Sequence, residues 1–201
     1  MESIVLASAL FAILAYLIGS VPFGLLVTHA FLDQDIRSVG SGNIGATNVL
    51  RTGSKVLAAT TLILDAGKAA LPILIIYQWQ SSDMPTEPWW PALAAVSVCL
   101  GHCYPIWLNF RGGKAVSCFF GVWFTMSIFF GATIAIAWIV IAVIWKRSSL
   151  AALSASFAAP IMVFESTMTF VFMTVLSVLI WVRHRDNIRR LLDGSEPLIG
   201  Q

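Results

Sequence analysis

The sequence predicts an all-α membrane protein: a polytopic helical bundle of seven transmembrane segments, N-terminus outside and C-terminus cytoplasmic. Three observations carry this. The 201 residues are 58% hydrophobic and only 11% charged, against roughly 45–50% apolar and ~25% charged in a soluble domain. One core of this size cannot bury that excess, so lipid must solvate the remainder. Apolar runs long enough to cross a bilayer recur along the whole chain. The 12 Lys and Arg residues fall at or near one set of run boundaries, the pattern of cytoplasmic loops. The chain reads as a single integral-membrane domain, residues 1–201.

The elements follow in order. The first run, 4–27, has Glu2 as its one early charge and no basic segment before it. It is too long for a cleaved leader and reads as the first span. Runs 55–77 and 90–108 each approach the ~20 residues a crossing needs. Loop 78–89 carries Asp83 and Glu87 but no cation, which places it outside with the N-terminus. The cation-bearing segments 28–54, 109–114, 146–149 and 183–201 are then cytoplasmic.

Two longer apolar stretches remain, 115–145 and 150–182. Were 115–145 one helix, Lys146 and Arg147 would lie outside, so each stretch is read as two crossings. Gly131-Ala132-Thr133 is expected to turn the first hairpin and the stretch from Pro160 to Thr167 the second. Glu165 then sits near the outer surface instead of mid-bilayer, where a carboxylate is costly. Five spans is the alternative count. Helices of about 15 residues rise only ~22 Å, short of a ~30 Å hydrocarbon core. The bundle must therefore tilt, thin the membrane or let loops such as 40–51 re-enter. A site recessed into the cytoplasmic leaflet follows, open to a lipid chain from the side and a soluble molecule from below.

Three polar clusters carry the chemistry. The first runs from Arg37 to Arg51 and holds Gly40, Ser41, Gly42, Asn43, Gly45, Thr47 and Asn48. Glycines let backbone N–H groups turn toward an anion. Ser41 and Thr47 donate hydrogen bonds, and Arg37 and Arg51 can grip phosphate through two bonds each. A merely flexible loop is the plainer reading, but linkers seldom mix Asn, Thr and Arg so densely.

The second cluster runs from His102 to Arg111-Gly112-Gly113-Lys114, just before an apolar helix starting near Ala115. Two glycine amides and an ammonium at a helix N-terminus make a common anion seat, without Walker A spacing. His102 reads equally well as a packing residue or a site residue, and His29 as interfacial. The third cluster runs from Arg183 to Glu196, and in a helix His184, Asn187 and Leu191 share a face. A basic tail touching anionic lipid accounts for its arginines but not for His184 or Asn187.

Elsewhere the plainer readings prevail. Ser148 and Ser149 are expected to cap the following helix. Asp65 and Lys68, three apart in the second span, read as a structural ion pair. Cys99, Cys103 and Cys118 form no disulfide framework and no metal-binding spacing, so they read as small buried residues. Without a basic arm or low-complexity tail, nothing points to nucleic acid.

These clusters resemble those of the bacterial membrane glycerol-3-phosphate acyltransferases that use acyl phosphate as donor, the PlsY family. The resembling residues are Gly19-Ser20-Val21-Pro22-Phe23-Gly24, the segment Gly40–Arg51, Gly101-His102 through Lys114, and Arg183-His184 through Glu196. The match runs in order along essentially the whole chain. Its most specific part is Gly-Ser-Gly-Asn-Ile-Gly-Ala-Thr-Asn with a following Arg, whereas Gly-Gly-Lys alone is weak. Ala115 departs from the family's usual glycine and Arg111 from its commoner lysine, which bears on local loop geometry.

The resemblance implies acyl transfer from acyl phosphate to the 1-hydroxyl of sn-glycerol 3-phosphate, giving 1-acylglycerol 3-phosphate and phosphate in phospholipid synthesis. It implies a multi-pass protein of the bacterial inner membrane with its site facing the cytoplasm. No cofactor, metal or obligate protein partner is implied; membrane lipids and the two substrates are the partners. Carried over residue by residue, Ser41, Lys114, Ser149 and His184 are the catalytic candidates. Substrate-binding candidates are Arg37, Gly40, Gly42, Asn43, Gly45, Thr47, Asn48, Arg51, His102, Gly112, Gly113, Asn187 and Glu196. Within that set, Ser41, Gly42, Lys114 and the Gly112-Gly113 amides would hold the acyl-phosphate head. Arg51, His184 and Asn187, with Lys114, would hold glycerol 3-phosphate, and Ser149 would polarise the acyl carbonyl. The general base is either His184, the titratable group nearest neutrality in a matching motif, or the donor's own phosphate, the preferred route. The competing class is an organic-phosphate transporter. Such carriers bind near mid-membrane between inverted halves, whereas here the clusters gather on one side and no repeat is visible.

Overall fold

The structure, a computed structural model, describes residues 2–82, 86–163 and 167–200. Asp83 and Glu165, which figured in the topology above, lie outside the described residues. The first apolar run forms two helices, α1 (Glu2–Gly19) and α2 (Phe23–Leu32). Pro22, which lacks an N–H and restricts the residue before it, separates them. The broken carbonyl ladder finds a partner in Lys68, whose Nζ donates to Val21 O at 2.6 Å. Lys68 also pairs with Asp65 at 2.7 Å, and His102 Nδ1 faces the same carboxylate oxygen at 3.6 Å. The expected ion pair is thus structural, and it closes the backbone gap between α1 and α2.

After the one-turn helix α3 (Ala46–Val49) comes α4 (Lys55–Ser81), whose 27 residues extend ~40 Å. Ser54 Oγ caps α4 by accepting from Leu57 N at 3.2 Å. Next is α5 (Trp90–Cys103), which packs against α1 and α4. Its approach to α1 is backbone-close: a Cβ on Gly19 would collide with Val98 O, and one on Gly101 with Tyr16 O. Small residues at such crossings are how helices associate in lipid.

The stretch 115–145 is indeed a hairpin, α6 (Val116–Met126) followed by α7 (Ile128–Trp145). The turn is at Ser127, extended at φ −158° and ψ 117°, and not at Gly131-Ala132-Thr133. Ser127 Oγ accepts from Phe130 N at 3.4 Å and starts α7. Gly131 lies inside α7, where a Cβ would stand 2.8 Å from Phe124 Cα, so its missing side chain brings α7 against α6. The second stretch gives α8 (Ser148–Ile161) and α9 (Thr167–Arg183), packed together. A final helix, α10 (Arg185–Leu192), turns 63° from α9.

Among the described residues, four helical segments are long and apolar enough to cross a membrane: Ser3–Leu32, Lys55–Ser81, Trp90–Leu108 and Ile128–Trp145. The bent pair α9–α10 would add a fifth, and α6 and α8 are apolar but short. Of these four segments Trp90–Leu108, which contains α5, is the most deeply buried and α7 the least. The main core joins Val98 and Cys99 of α5 to Ile73, Phe119, Trp123, Met173 and Ile180. All three cysteines are free and buried. A second, smaller core of Val27, Ile36, Ile44, Val49 and Leu57 lies under the glycine-rich loop and pins it to α2 and α4. That small core positions the site.

Candidate active site

Around the first loop, Asn48 is the hub. It is 2% exposed. Its Nδ2 donates to Ile36 O at 3.0 Å and Val39 O at 2.9 Å. Its Oδ1 accepts from Ser41 N and Oγ at 3.1 and 3.3 Å and from Arg51 Nη1 at 3.1 Å. Expected to bind substrate, Asn48 instead spends its hydrogen-bonding capacity on aligning Ser41 and Arg51. Gly40 (φ 50°) and Gly42 (φ 68°) flank Ser41 in the left-handed region, which favours glycine. Asn43 likewise turns inward, accepting from Gly45 N at 3.0 Å. Thr47 Oγ1 lies 3.1 Å from Ser148 Oγ and ties the loop to the start of α8.

Arg37 does not join this group. It pairs with Asp35 at 2.6 Å on the surface and lines a second cavity of about 680 Å³, which adjoins the main one through Gly42 and Arg111. The Arg37 hydrogen bonds hold the Asp35 carboxyl down at about 2. The carboxylate two residues earlier, which also caps the turn at Ile36–Ser38, has claimed the guanidinium.

In the second cluster the glycine amides point away from any ligand. Gly112 N donates to Cys103 O at 3.1 Å and Gly113 N to His102 O at 2.9 Å. The anion seat expected of these two amides is therefore not formed. The glycines serve close packing: a Cβ on Gly112 would collide with His102 O, and one on Gly113 with His102 Nε2. His102 itself is buried between this loop and Asp65.

What the second cluster does present is Lys114. Its Nζ donates to Asn187 Oδ1 at 2.6 Å, across from the third cluster. Burial lowers the Lys114 pKa to about 8; Glu196 opposes that shift, while Arg190, Arg183 and Arg51 reinforce it.

The third cluster is knit by Glu196, 7% exposed. Its Oε1 accepts from Ser149 Oγ and from Asn187 Nδ2, both at 2.6 Å, and its Oε2 accepts from Arg190 Nε at 2.7 Å. Burial alone would raise its pKa, but these three donors outweigh burial and hold it below the ordinary glutamate value. Ser149 thus does more than occupy the start of α8; its hydroxyl is committed to Glu196.

His184 is buried, with Nδ1 2.8 Å from Ile180 O. A carbonyl needs a donor, so Nδ1 carries the hydrogen and Nε2 is left as an acceptor. Burial first, then the Lys114 charge, pushes the His184 pKa down to about 4. The group poised closest to neutrality is therefore Lys114 and not His184, a reversal of the sequence expectation.

The three clusters meet at one cavity of about 1410 Å³. Its polar end is formed by Ser41, Arg51, Lys114, Ser149, Asn187 and Glu196. Its apolar wall is formed by Leu62, Ile63, Phe120, Phe124, Trp138 and Ile139 of α4, α6 and α7. Ile63 and Ile139 are 67% and 54% exposed, so this wall opens sideways. Two cationic residues on the cavity lining were not singled out from the sequence, Arg183 and Arg190. Arg190 stands three after Asn187, on the same helix face, which was the available signal.

A family model described as glycerol-3-phosphate acyltransferase matches residues 9–194. The chain is 45% identical to a protein named glycerol-3-phosphate acyltransferase from Dinoroseobacter shibae, over 96% of this chain and 93% of that one. It is 43% identical to the protein of the same name from Jannaschia sp., over 100% and 97%. Among solved structures it is similar to PlsY (YgiH), an integral membrane glycerol 3-phosphate acyltransferase, in its glycerol 3-phosphate form. That match has 34% identity, a TM-score of 0.87 and coverage of 96% of each chain. The lysophosphatidic acid form of that protein matches with a TM-score of 0.84, covering 96% of this chain and 95% of that one.

Proposed function

The chain belongs to the glycerol-3-phosphate acyltransferase family, and from that premise we propose how its cavity performs the transfer. An acyl group passes from acyl phosphate to the 1-hydroxyl of sn-glycerol 3-phosphate, giving 1-acylglycerol 3-phosphate and inorganic phosphate. The observation that carries this reading is the single cavity joining a cationic polar end to an apolar wall open sideways. Such a shape suits one substrate with a lipid tail and one that is wholly polar.

The acyl tail lies along α4, α6 and α7, and its phosphate meets the Ser41-Gly42 turn and Lys114. Glycerol 3-phosphate occupies the side bounded by Arg51, His184, Asn187 and Arg190. Acyl phosphate is already an activated anhydride, so the protein's tasks are orientation and charge stabilisation. The 1-hydroxyl oxygen attacks the acyl carbon, the bond from that carbon to the phosphate oxygen breaks, and the hydroxyl proton leaves on the departing phosphate. His184 is too weak a base to hold that proton, but its bare Nε2 can accept the hydroxyl hydrogen bond and aim the nucleophile. Ser149 directs its hydrogen to Glu196, so the Lys114 ammonium is the better candidate to polarise the acyl carbonyl. Ser149 and Glu196 then hold Asn187 and Arg190 in place.

In the membrane we propose seven crossings, with α1 and α2 forming one broken span and α4 to α9 one each. Alternation from an outer N-terminus places all three clusters on the cytoplasmic side of the bacterial inner membrane. The test is purified protein with a synthetic acyl phosphate and labelled glycerol 3-phosphate, beside Ser41→Ala and Arg51→Ala. Phosphate release strictly dependent on glycerol 3-phosphate is expected. Vesicle uptake of glycerol 3-phosphate without acylation would instead establish a carrier. Labelling that places Ser41 and Lys114 on opposite sides of the membrane would end the reading.

A further inference from the structure

Arg183 closes α9, one residue before His184. Its Nη2 donates to Gly112 O at 2.9 Å and its Nε to Gly113 O at 3.0 Å. The guanidinium lies over the Tyr104 ring, 4.9 Å from the centroid, and Tyr104 O in turn accepts from Tyr16 OH at 2.7 Å. With the Gly112 and Gly113 amides bonded back to Cys103 and His102, each of the two glycines is held on two sides, by its N–H and by its C=O. One side is the end of α5 and the other is Arg183. The next residue is Lys114.

We infer that Arg183 is a positioning residue for the acyl transfer, acting through the Gly112-Gly113 turn to fix the backbone from which Lys114 reaches Asn187. The inference rests on Lys114 being the central cation of the proposed site. The segment 183–187 then controls Lys114 at both ends, its backbone through Arg183 and its ammonium through Asn187 Oδ1. Arginine suits this place because a planar fork meets two neighbouring carbonyls at once while its face stacks on tyrosine. A lysine keeps the charge but loses the fork. Two of the guanidinium nitrogens are spent on the loop and one face on Tyr104, so the geometry favours a clamp over a ligand to substrate phosphate.

The test uses the full-length protein in lipid nanodiscs: wild type, Arg183→Gln and Arg183→Lys, each with kcat, both KM values, a pH profile and a thermal midpoint. A displacement of about 1 Å at a reacting group costs on the order of 100-fold in rate. Arg183→Gln is therefore expected to lower kcat by roughly 10- to 100-fold, with the glycerol 3-phosphate KM changed less than about threefold. Because the Arg183 charge helps to lower the Lys114 pKa, its alkaline limb should move to higher pH in Arg183→Gln. In Arg183→Lys, kcat should still fall while the limb stays put. A limb unmoved in Arg183→Gln, with activity falling only as folded protein falls, would reduce Arg183 to a structural role and overturn the inference. A large rise in either KM at unchanged kcat would make it a substrate ligand, which also overturns it. Wild-type protein that does not acylate glycerol 3-phosphate would remove the functional reading beneath, and the inference with it. Active wild type beside an indifferent Arg183→Gln removes the inference alone.

Discussion

The pH dependence of the transfer should report Lys114. Its ammonium is the useful form, and burial brings its pKa to about 8, so activity should be lost as pH rises through that value. At pH 7 about 90% of free enzyme carries the charge, and at pH 9 about 10%, which predicts a roughly tenfold fall in kcat/KM between them. His184, depressed to about 4, adds no limb between pH 5 and 8. An acidic limb near pH 6 would come from the second ionisation of substrate phosphate. Keeping the ammonium charged in the empty pocket costs about 3 kcal/mol relative to water, and a bound phosphate dianion relieves that cost. The alkaline limb of kcat should therefore lie above that of kcat/KM. The assay is initial rate of acylglycerol phosphate formation from pH 5.5 to 10 at fixed ionic strength. Lys114→Arg, whose guanidinium stays charged throughout, should retain some rate and lose the limb. If Lys114→Arg keeps a limb near 8, the assignment is wrong.

Three further outcomes follow from the same geometry. Glu196→Gln strips the carboxylate from Ser149, Asn187 and Arg190 and should destabilise the protein by about 2–3 kcal/mol, read as a lower thermal midpoint in detergent. Because Glu196 supports the Lys114 charge, the same variant should also move the alkaline limb to lower pH; a limb moving upward would contradict the wiring. Gly113→Ala drives a methyl into the His102 ring, so its activity loss should come with a destabilisation of about 1–3 kcal/mol. Full stability with a pure binding defect would restore the amide-seat idea. Arg51→Ala should cost at least about 100-fold in kcat/KM for glycerol 3-phosphate, the loss expected when one partner of a buried charged contact is removed. Arg37→Ala, held by Asp35 outside the main cavity, should stay within about threefold. Equal losses would show that both arginines reach substrate.

Much of this was legible because charge and hydropathy act over whole segments. The cations at 146–147 required the stretch before them to turn back, and it does, at Ser127. The turn was misplaced because Gly131 looks like a hinge in one dimension. In three dimensions its missing Cβ lets α7 lie on α6, while the break came from a hydroxyl able to cap the next helix. Hydrogen-bond direction was the larger blind spot. Gly112 and Gly113 suggest amides offered to an anion, but α5 ends beside them with Cys103 and His102 carbonyls unmatched, and those carbonyls take the amides first. Asn48 and Glu196, marked from the sequence as site residues, line the cavity, yet their polar atoms face other side chains and backbone carbonyls. Arg37 and Arg51 look equivalent along the chain, though Asp35 two residues before Arg37 was a readable sign of its capture. Arg183 and Arg190 were hidden among arginines that any cytoplasmic tail would carry. A residue type reports what chemistry a segment can do; the nearest unmatched donor or acceptor decides whether that chemistry is spent inside the protein. Here Asn48, Arg183 and Glu196 absorb the local demand and thereby set where Ser41, Arg51, Lys114 and His184 stand around the cavity.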